Sequence, residues 1–380
     1  MLKNRLPLLF LIIVLVLGGC SETPSLSDNP TEIDGLIFKE SVQLQYADKF
    51  SIDRYEDGYS LISVADGGKY LIVPEGEKAP EVDRNIKIIH QPVENIYLAA
   101  TAAMGLFDAL SHGNAVRFSG TKAEDWYIEY AKNAMINGDM LYAGKYSEPD
   151  YELLLSEGCK LSIQSTMIGH APEVREKLED LGITVFVDYS SYETHPLGRS
   201  EWIKVYGELT GESAEAERLF DDQAEYLENL DKYEGEKKSV VFFYISSSGQ
   251  IVTRKSGDYI TKMIELAGGE TVFSNLGSDS ASSTVNMEPE EFYTKAKDAD
   301  VIIYNSTIDG ELTSIDELLT KNTLLSDFKA VKNGDVWCTR NNLFQESLKL
   351  GAVISDFNMA LTGGENPQYL YKLEGGDYYE

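Results

Sequence analysis

Three thiols and four imidazoles carry most of the reactive chemistry in this 380-residue chain: Cys20, Cys159 and Cys338, with His90, His112, His170 and His195. The cysteines are far apart and match no metal-ligand spacing. No two histidines stand at His-x-x-x-His spacing, so a transition-metal site would need all four to converge from distant segments. Gly-x-Ser-x-Gly, His-Glu-x-x-His, a P-loop and a Gly-x-Gly-x-x-Gly leading into a helix are all absent from the sequence. Cys159 and Cys338 adjoin apolar, strand-like runs and read as buried thiols, although a disulfide is compatible with an oxidising compartment. Cys20 is different. It directly follows Leu17-Gly18-Gly19, which closes an apolar run over residues 8–17 behind Lys3 and Arg5. A basic start, a short apolar middle and small residues at the cut form the layout of a bacterial secretion signal. The run is short for a membrane-spanning helix, which needs about 20 apolar residues.

The stretch ending at Cys20 resembles a lipobox, the processing site of bacterial lipoproteins. That resemblance implies that residues 1–19 are removed and that Cys20 is acylated (palmitate) as the first mature residue. The protein would then sit outside the cytoplasm, lipid-anchored to the bacterial cell membrane. Its net charge of −30 repels nucleic acid, whose binding needs clustered Lys and Arg. It also repels an anionic membrane surface, which leaves the lipid as the only membrane contact.

The elements that must position the remaining chemistry follow from patterning. Residues 20–35, rich in Ser, Pro, Asp and Thr, form a lipid-anchored flexible spacer. Residues 36–94 are β-rich, with alternation at Phe50-Ser51-Ile52-Asp53-Arg54-Tyr55 and turns at Glu56-Asp57-Gly58 and Asp66-Gly67-Gly68. From residue 95, strands alternate with helices: strands over residues 96–98, 115–118, 161–163 and 185–187, and a helix over residues 171–181 with Pro172 in its first turn. A second such block starts near Ser239, with strands over residues 240–244, 301–304 and 336–337 and helices over residues 259–266 and 349–361. Between the blocks, residues 213–233 read as one helix of roughly 30 Å. Ser213 is its N-cap, and Ala216, Phe220, Ala224, Leu227 and Leu230 form one apolar face. The fold class is therefore α/β. Two lobes, each a mainly parallel sheet with flanking helices, are joined by one long interlobe helix behind an N-terminal β-hairpin extension. The first lobe covers residues 95–210, the linker residues 211–234 and the second lobe residues 235–380.

Ligands of open α/β sheets lie beyond the carboxyl ends of the strands, and two facing lobes make one cleft from two such edges. The loops at those edges carry Trp126, Met167, His170, Tyr189, Tyr192, Tyr244, Arg254, Tyr259 and Arg340. Aromatic walls with a few cations suit a planar or catecholate ligand bearing anionic groups. Arg199 is a weaker candidate for the same cleft, and its closeness to Glu201 also allows a purely structural ion pair. No catalytic residue, resident cofactor or metal site is predicted.

Two α/β lobes joined by one helix on an exported lipoprotein resemble the class III solute-binding proteins of ABC importers, the ferric-siderophore, haem and cobalamin binders. Glu148-Pro149-Asp150-Tyr151-Glu152-Leu153-Leu154, Lys177 through Val185, Gly207-Glu208-Leu209-Thr210-Gly211, Ser256 through Gly269, and Asp298-Ala299-Asp300-Val301-Ile302 carry it, over about residues 95–365. The resemblance implies a monomeric binding protein and no enzyme. Its partners would be an ABC permease and its ATPase, and its ligand a small metal chelate or corrinoid, with iron inside the transported ligand. It implies docking through one glutamate per lobe onto permease arginines: Glu152 in the first lobe, Glu290 or Glu291 in the second. His170 or Tyr192 would be positioned to ligate an iron centre. A zinc or manganese receptor of a related importer and an exported hydrolase are the alternatives. The scarcity of histidine weighs against the first and the missing motifs against the second.

Overall fold

The computed structural model describes residues 30–231, 236–277 and 283–375. Cys20 and the predicted signal and most of the spacer lie outside them. Short alternating runs separated by Asp-Gly turns build the N-terminal sheet. It comprises β1 (Phe38–Ser41), β2 (Phe50–Tyr55), β3 (Ser60–Val64), β4 (Lys69–Val73) and β5 (Ile86–His90), in that spatial order. Asp57 and Gly58 both have positive φ, the tight-turn geometry that matches strand twist, and they close the β2–β3 hairpin. β5 pairs parallel to β4, so the extension is not purely hairpins. Both of its faces are buried. Phe50, Ile52, Ile62, Tyr70 and Ile72 join the core of the first lobe, whereas Tyr55, Leu61, Leu71 and Val73 pack on Ile33 and its neighbours.

The first lobe is an all-parallel sheet. It contains β6 (Ile96–Leu98), β7 (Val116–Ser119), β8 (Leu141–Tyr142), β9 (Leu161–Ser165) and β10 (Thr184–Asp188), in the order β10-β9-β6-β7-β8. Its strands are buried on both sides, as parallel strands sandwiched by helices must be. The helix Pro172–Asp180 returns the chain from β9 to β10.

The second sheet contains β11 (Ser239–Ile245), β12 (Ile251–Arg254), β13 (Glu270–Thr271), β14 (Thr284–Met287), β15 (Val301–Tyr304), β16 (Val336–Thr339) and β17 (Leu370–Lys372). The order is β14-β12-β11-β15-β16-β17, with β13 also on β11. The core β11-β15-β16 is parallel, but β12 and β17 run antiparallel to it. This lobe is therefore a mixed sheet.

The interlobe helix is Ser213–Glu228, about 24 Å long at 1.5 Å per residue, shorter than the sequence pattern predicts. Glu212 rather than Ser213 occupies the N-cap, without a side-chain cap. At its far end, Asn358 accepts a hydrogen bond from Asp231 N–H (3.1 Å) and donates to Asp231 C=O (2.9 Å). These bonds turn the chain onto the final helix, Leu350–Thr362. The predicted end at Tyr233 lies outside the described residues. Phe220 and Ala224 bury the linker's apolar face in the main core, where Phe107 and Tyr206 of the first lobe meet Val353 and Phe357 of the second. Among the described residues, no helix is long and apolar enough to cross a membrane.

Candidate functional site

The carboxyl ends of β6, β7, β9 and β10 face the segment that links β16 to the final helix. Gln345 clasps the two lobes. Its Oε1 accepts from the N–H groups of Tyr127 (2.9 Å) and Ile128 (3.3 Å), and its Nε2 donates to Asp125 C=O (2.8 Å). Ser347 donates to Ala102 C=O and accepts, at its own C=O, from Ser200. One side-chain pair spans the gap as well: the Arg199 guanidinium lies 3.7 Å from the centroid of the Tyr259 ring.

In the first lobe, the loops after β9 and β10 touch through Thr166 and Ser191. They carry Met167, 45% exposed, and Tyr192, 60% exposed, with Tyr189 beside Tyr192 at 5.8 Å between ring centroids. His170 is exposed at the end of the same β9 loop. Trp126 is corrected by the structure. It is buried in the core, its Nε1 donating to Ser119 Oγ (3.2 Å), and it presents no wall to a ligand. Its neighbour Tyr127 points outward instead. In the extended segment after residue 125 successive side chains face opposite ways, and the sequence does not show which of two adjacent aromatics goes inward.

In the second lobe, Asp258 caps the helix Tyr259–Leu266 by accepting from Ile260 N–H (2.9 Å) and lies 3.6 Å from Arg254. Arg254 also faces the Phe344 ring at 5.1 Å. Burial raises the Tyr259 phenol, and Arg199 and Arg254 oppose that shift. Arg340 is held on its own lobe by Glu311 (3.2 Å) and the Tyr371 ring (4.3 Å). Tyr244 is half-buried against the outer core of the second lobe. The structure thus groups Arg254 and Tyr259 with Arg199, whereas Arg340 and Tyr244 are engaged elsewhere.

Arg199, the weaker candidate from the sequence, stands at the lobe boundary, and the ion pair with Glu201 does not form. Glu201 pairs with Lys204 (2.8 Å), not with Arg199. Among the described residues Arg199 forms no ion pair. Its Nη2 donates to Ser191 C=O (2.7 Å), and its Nε is buried without a partner. Asp188, at the carboxyl end of β10, acts on it only at longer range and is itself held by Ser190 N–H and the Tyr206 hydroxyl. Burial raises the Asp188 carboxyl above its ordinary range.

Cys159 and Cys338 are buried free thiols, and burial pushes Cys159 up to about 11. A concavity of about 430 Å³ opens at the amino ends of β9 and β10, lined by His90, Lys160 and Thr184. It lies at the sheet edge opposite the cleft and offers none of the convergent aromatic and cationic groups found there.

Glu152 is exposed in the first turn of the helix Tyr151–Ser156, which starts from the carboxyl edge of β8 and is capped by Asp150. Glu290 and Glu291 stand exposed in the first turn of Pro289–Ala296. That helix follows β14, whose end Met287 aligns through Ile251 with Ile245 at the end of β11. Both helices therefore begin on the cleft side of their lobes. Glu291 is paired with Lys295 (2.6 Å).

Residues 99–343 match the model of the periplasmic binding protein family. The uncharacterized lipoprotein MJ0872 of Methanocaldococcus jannaschii is 26% identical over an alignment of 406 residues, covering 96% of this chain and 99% of the relative. Lipoprotein MJ0878 of the same organism is 26% identical over 316 residues, covering 78% and 73%. Among solved structures, a periplasmic binding protein from Veillonella parvula superposes with a TM-score of 0.57 at 18% identity, over 76% of this chain and 96% of that one. The periplasmic haem binding protein HutB of Vibrio cholerae does so with 0.56 at 18% identity, over 69% and 97%.

Proposed function

The chain belongs to the periplasmic binding protein family, and from that premise we propose that it is the lipid-anchored receptor of an ABC importer for an iron chelate, haem or a corrinoid. Solute binding rather than catalysis is the family's role, and its members work outside the cytoplasm with ABC permeases. The observation that carries the ligand class is the cleft itself. Tyr189, Tyr192 and Met167 of one lobe face the same edge as Arg199, stacked on Tyr259 of the other. Flat apolar surfaces beside guanidinium groups suit a large planar or aromatic ligand with acidic substituents. Among the described residues no three His, Cys, Asp or Glu side chains converge on a metal position. That favours a metal delivered inside a chelate over a bare zinc or manganese ion.

In this reading the ligand enters between the lobes and is held by ring contacts and charge. The acidic lobe tips at Glu152 and Glu290 then meet cationic permease loops. Acylated Cys20 keeps the receptor at the membrane, with residues 21–35 giving it reach. The test is a titration of intrinsic tryptophan fluorescence with haemin, cobalamin and a ferric tris-catecholate. Saturable one-to-one quenching by one of them is expected. No response to any, together with stoichiometric zinc in the purified protein, would sink the proposal.

A further inference from the structure

The N-terminal sheet precedes the family-matched region, yet one of its loops is tied closely into that region. Between β1 and β2, five successive backbone N–H groups point at two buried carboxylates. Gln45, Tyr46 and Ala47 donate to Glu201 (2.8–3.1 Å), and Asp48 and Lys49 donate to Glu193 (2.9 and 3.1 Å). Glu193 also accepts from Trp202 Nε1 (2.8 Å), and Lys204 Nζ bridges Glu201 and Gln43 C=O. Glu193 is 3% exposed and Glu201 is fully buried. Burying a carboxylate is costly unless it is well satisfied, and an apolar contact would hold two surfaces together as firmly. What such a clamp adds is a fixed position.

The position it fixes is that of the cleft. Tyr192 immediately precedes Glu193. The helix Pro196–Glu201, which carries Arg199, lies between the two clamped carboxylates. His195, its N-cap, is stacked on the Tyr46 ring at 4.3 Å. Gly198 lies so close beneath that a Cβ there would sit 3.1 Å from Tyr46 C=O and 3.2 Å from the Glu193 side chain. We propose that residues 45–49 belong to the ligand-binding machinery: through Glu193, Glu201 and His195 they set where Tyr192 and Arg199 stand at the lobe boundary. Tyr46 and Glu193 are then positioning residues, acting through cleft side chains without touching the ligand. The inference rests on the receptor reading for its meaning, while its geometry stands apart from any ligand.

Amide hydrogen exchange on the full-length protein tests it from the far side of the contact. Tyr46→Ala removes the stacked ring, Tyr46→Phe keeps it, and Lys49→Pro removes one donor to Glu193 just ahead of β2. Tyr46→Ala and Lys49→Pro are expected to speed exchange across residues 189–199 by about tenfold or more, with β15 unchanged and Tyr46→Phe matching the parent. Haemin affinity should fall in the same two variants and not in Tyr46→Phe. Faster exchange confined to residues 45–49 would overturn the inference, as would equal acceleration in β15. A parent protein that binds no probe would strike the receptor reading alone, because the exchange result needs no ligand.

Discussion

Glu193 shows how far burial drives chemistry at single residues. Desolvation lifts its carboxyl from 4.5 to about 7, and the nearby Asp48 carboxylate acts in the same direction. The N–H groups of Asp48, Lys49 and Trp202 oppose it without winning. The other charges at this contact are Lys49, paired with Asp48, the Glu201–Lys204 pair and His195, whose own affinity for a proton is lowered by burial. A carboxyl whose folded value is raised binds its proton more tightly when folded. Its contribution to stability is therefore full below about 4.5 and is lost as pH rises through 7. Glu193→Gln stays neutral at every pH while keeping an acceptor oxygen. Relative to the parent it should gain stability between pH 5 and 8, read from urea unfolding at both ends. A difference that stays flat across that range would mean that Glu193 is already charged at pH 5.

Close backbone approach governs the next scale, where helices must dock to join the lobes. Gly351 begins the buried face of the final helix, and a Cβ there would fall 2.1 Å from Gln223 C=O on the interlobe helix. Gly351→Ala should cost about 1–3 kcal/mol by overpacking. It should also loosen the second lobe from the linker, seen as lower thermal stability and faster exchange at residues 213–228. An unchanged melting temperature would show that the helices separate freely. Elements were legible where the signal is local. Pro172 and Gly182 bracket the helix Pro172–Asp180, and Tyr259–Leu266 follows directly from its apolar spacing. The antiparallel strand β12 forms a hairpin with β11 across the short turn at residues 246–250, a local signal that the strand–helix alternation masked. The antiparallel strand β17, in contrast, escaped because its orientation depends on a distant partner, Trp337 to Lys372, that no local period encodes. The clamp on Glu193 and Glu201 escaped for a related reason. Its donors are main-chain N–H groups about 150 positions away, and every non-proline residue carries one. For Arg199, nearness in sequence to Glu201 was misleading. The two share a helix at a spacing of two, which points their side chains apart.

Charge decides behaviour at the scale of the whole molecule. In the receptor reading, a chain of net charge −30 would approach a cationic permease loop under long-range attraction, which raises encounter rate and fixes orientation more than it adds affinity. Orientation, however, needs local contrast. Glu152 and Glu290 would provide it: both are exposed, both stand in first turns at the cleft-side edge of their lobes, and among the described residues neither forms an ion pair. Glu291 is the weaker anchor, since docking would have to replace its bond to Lys295. Glu152→Arg changes the local charge by two while leaving the −30 background almost intact. It sits remote from the Arg199–Tyr259 contact in both sequence and fold. Transport of haemin or a ferric catecholate into cells should therefore fall about tenfold or more in Glu152→Arg, and further when Glu290→Arg is added, whereas the fluorescence titration curve stays that of the parent. Lost ligand affinity in Glu152→Arg would place this glutamate in the cleft rather than at the permease. Unchanged uptake in the double variant would mean that the lobe tips dock through other residues.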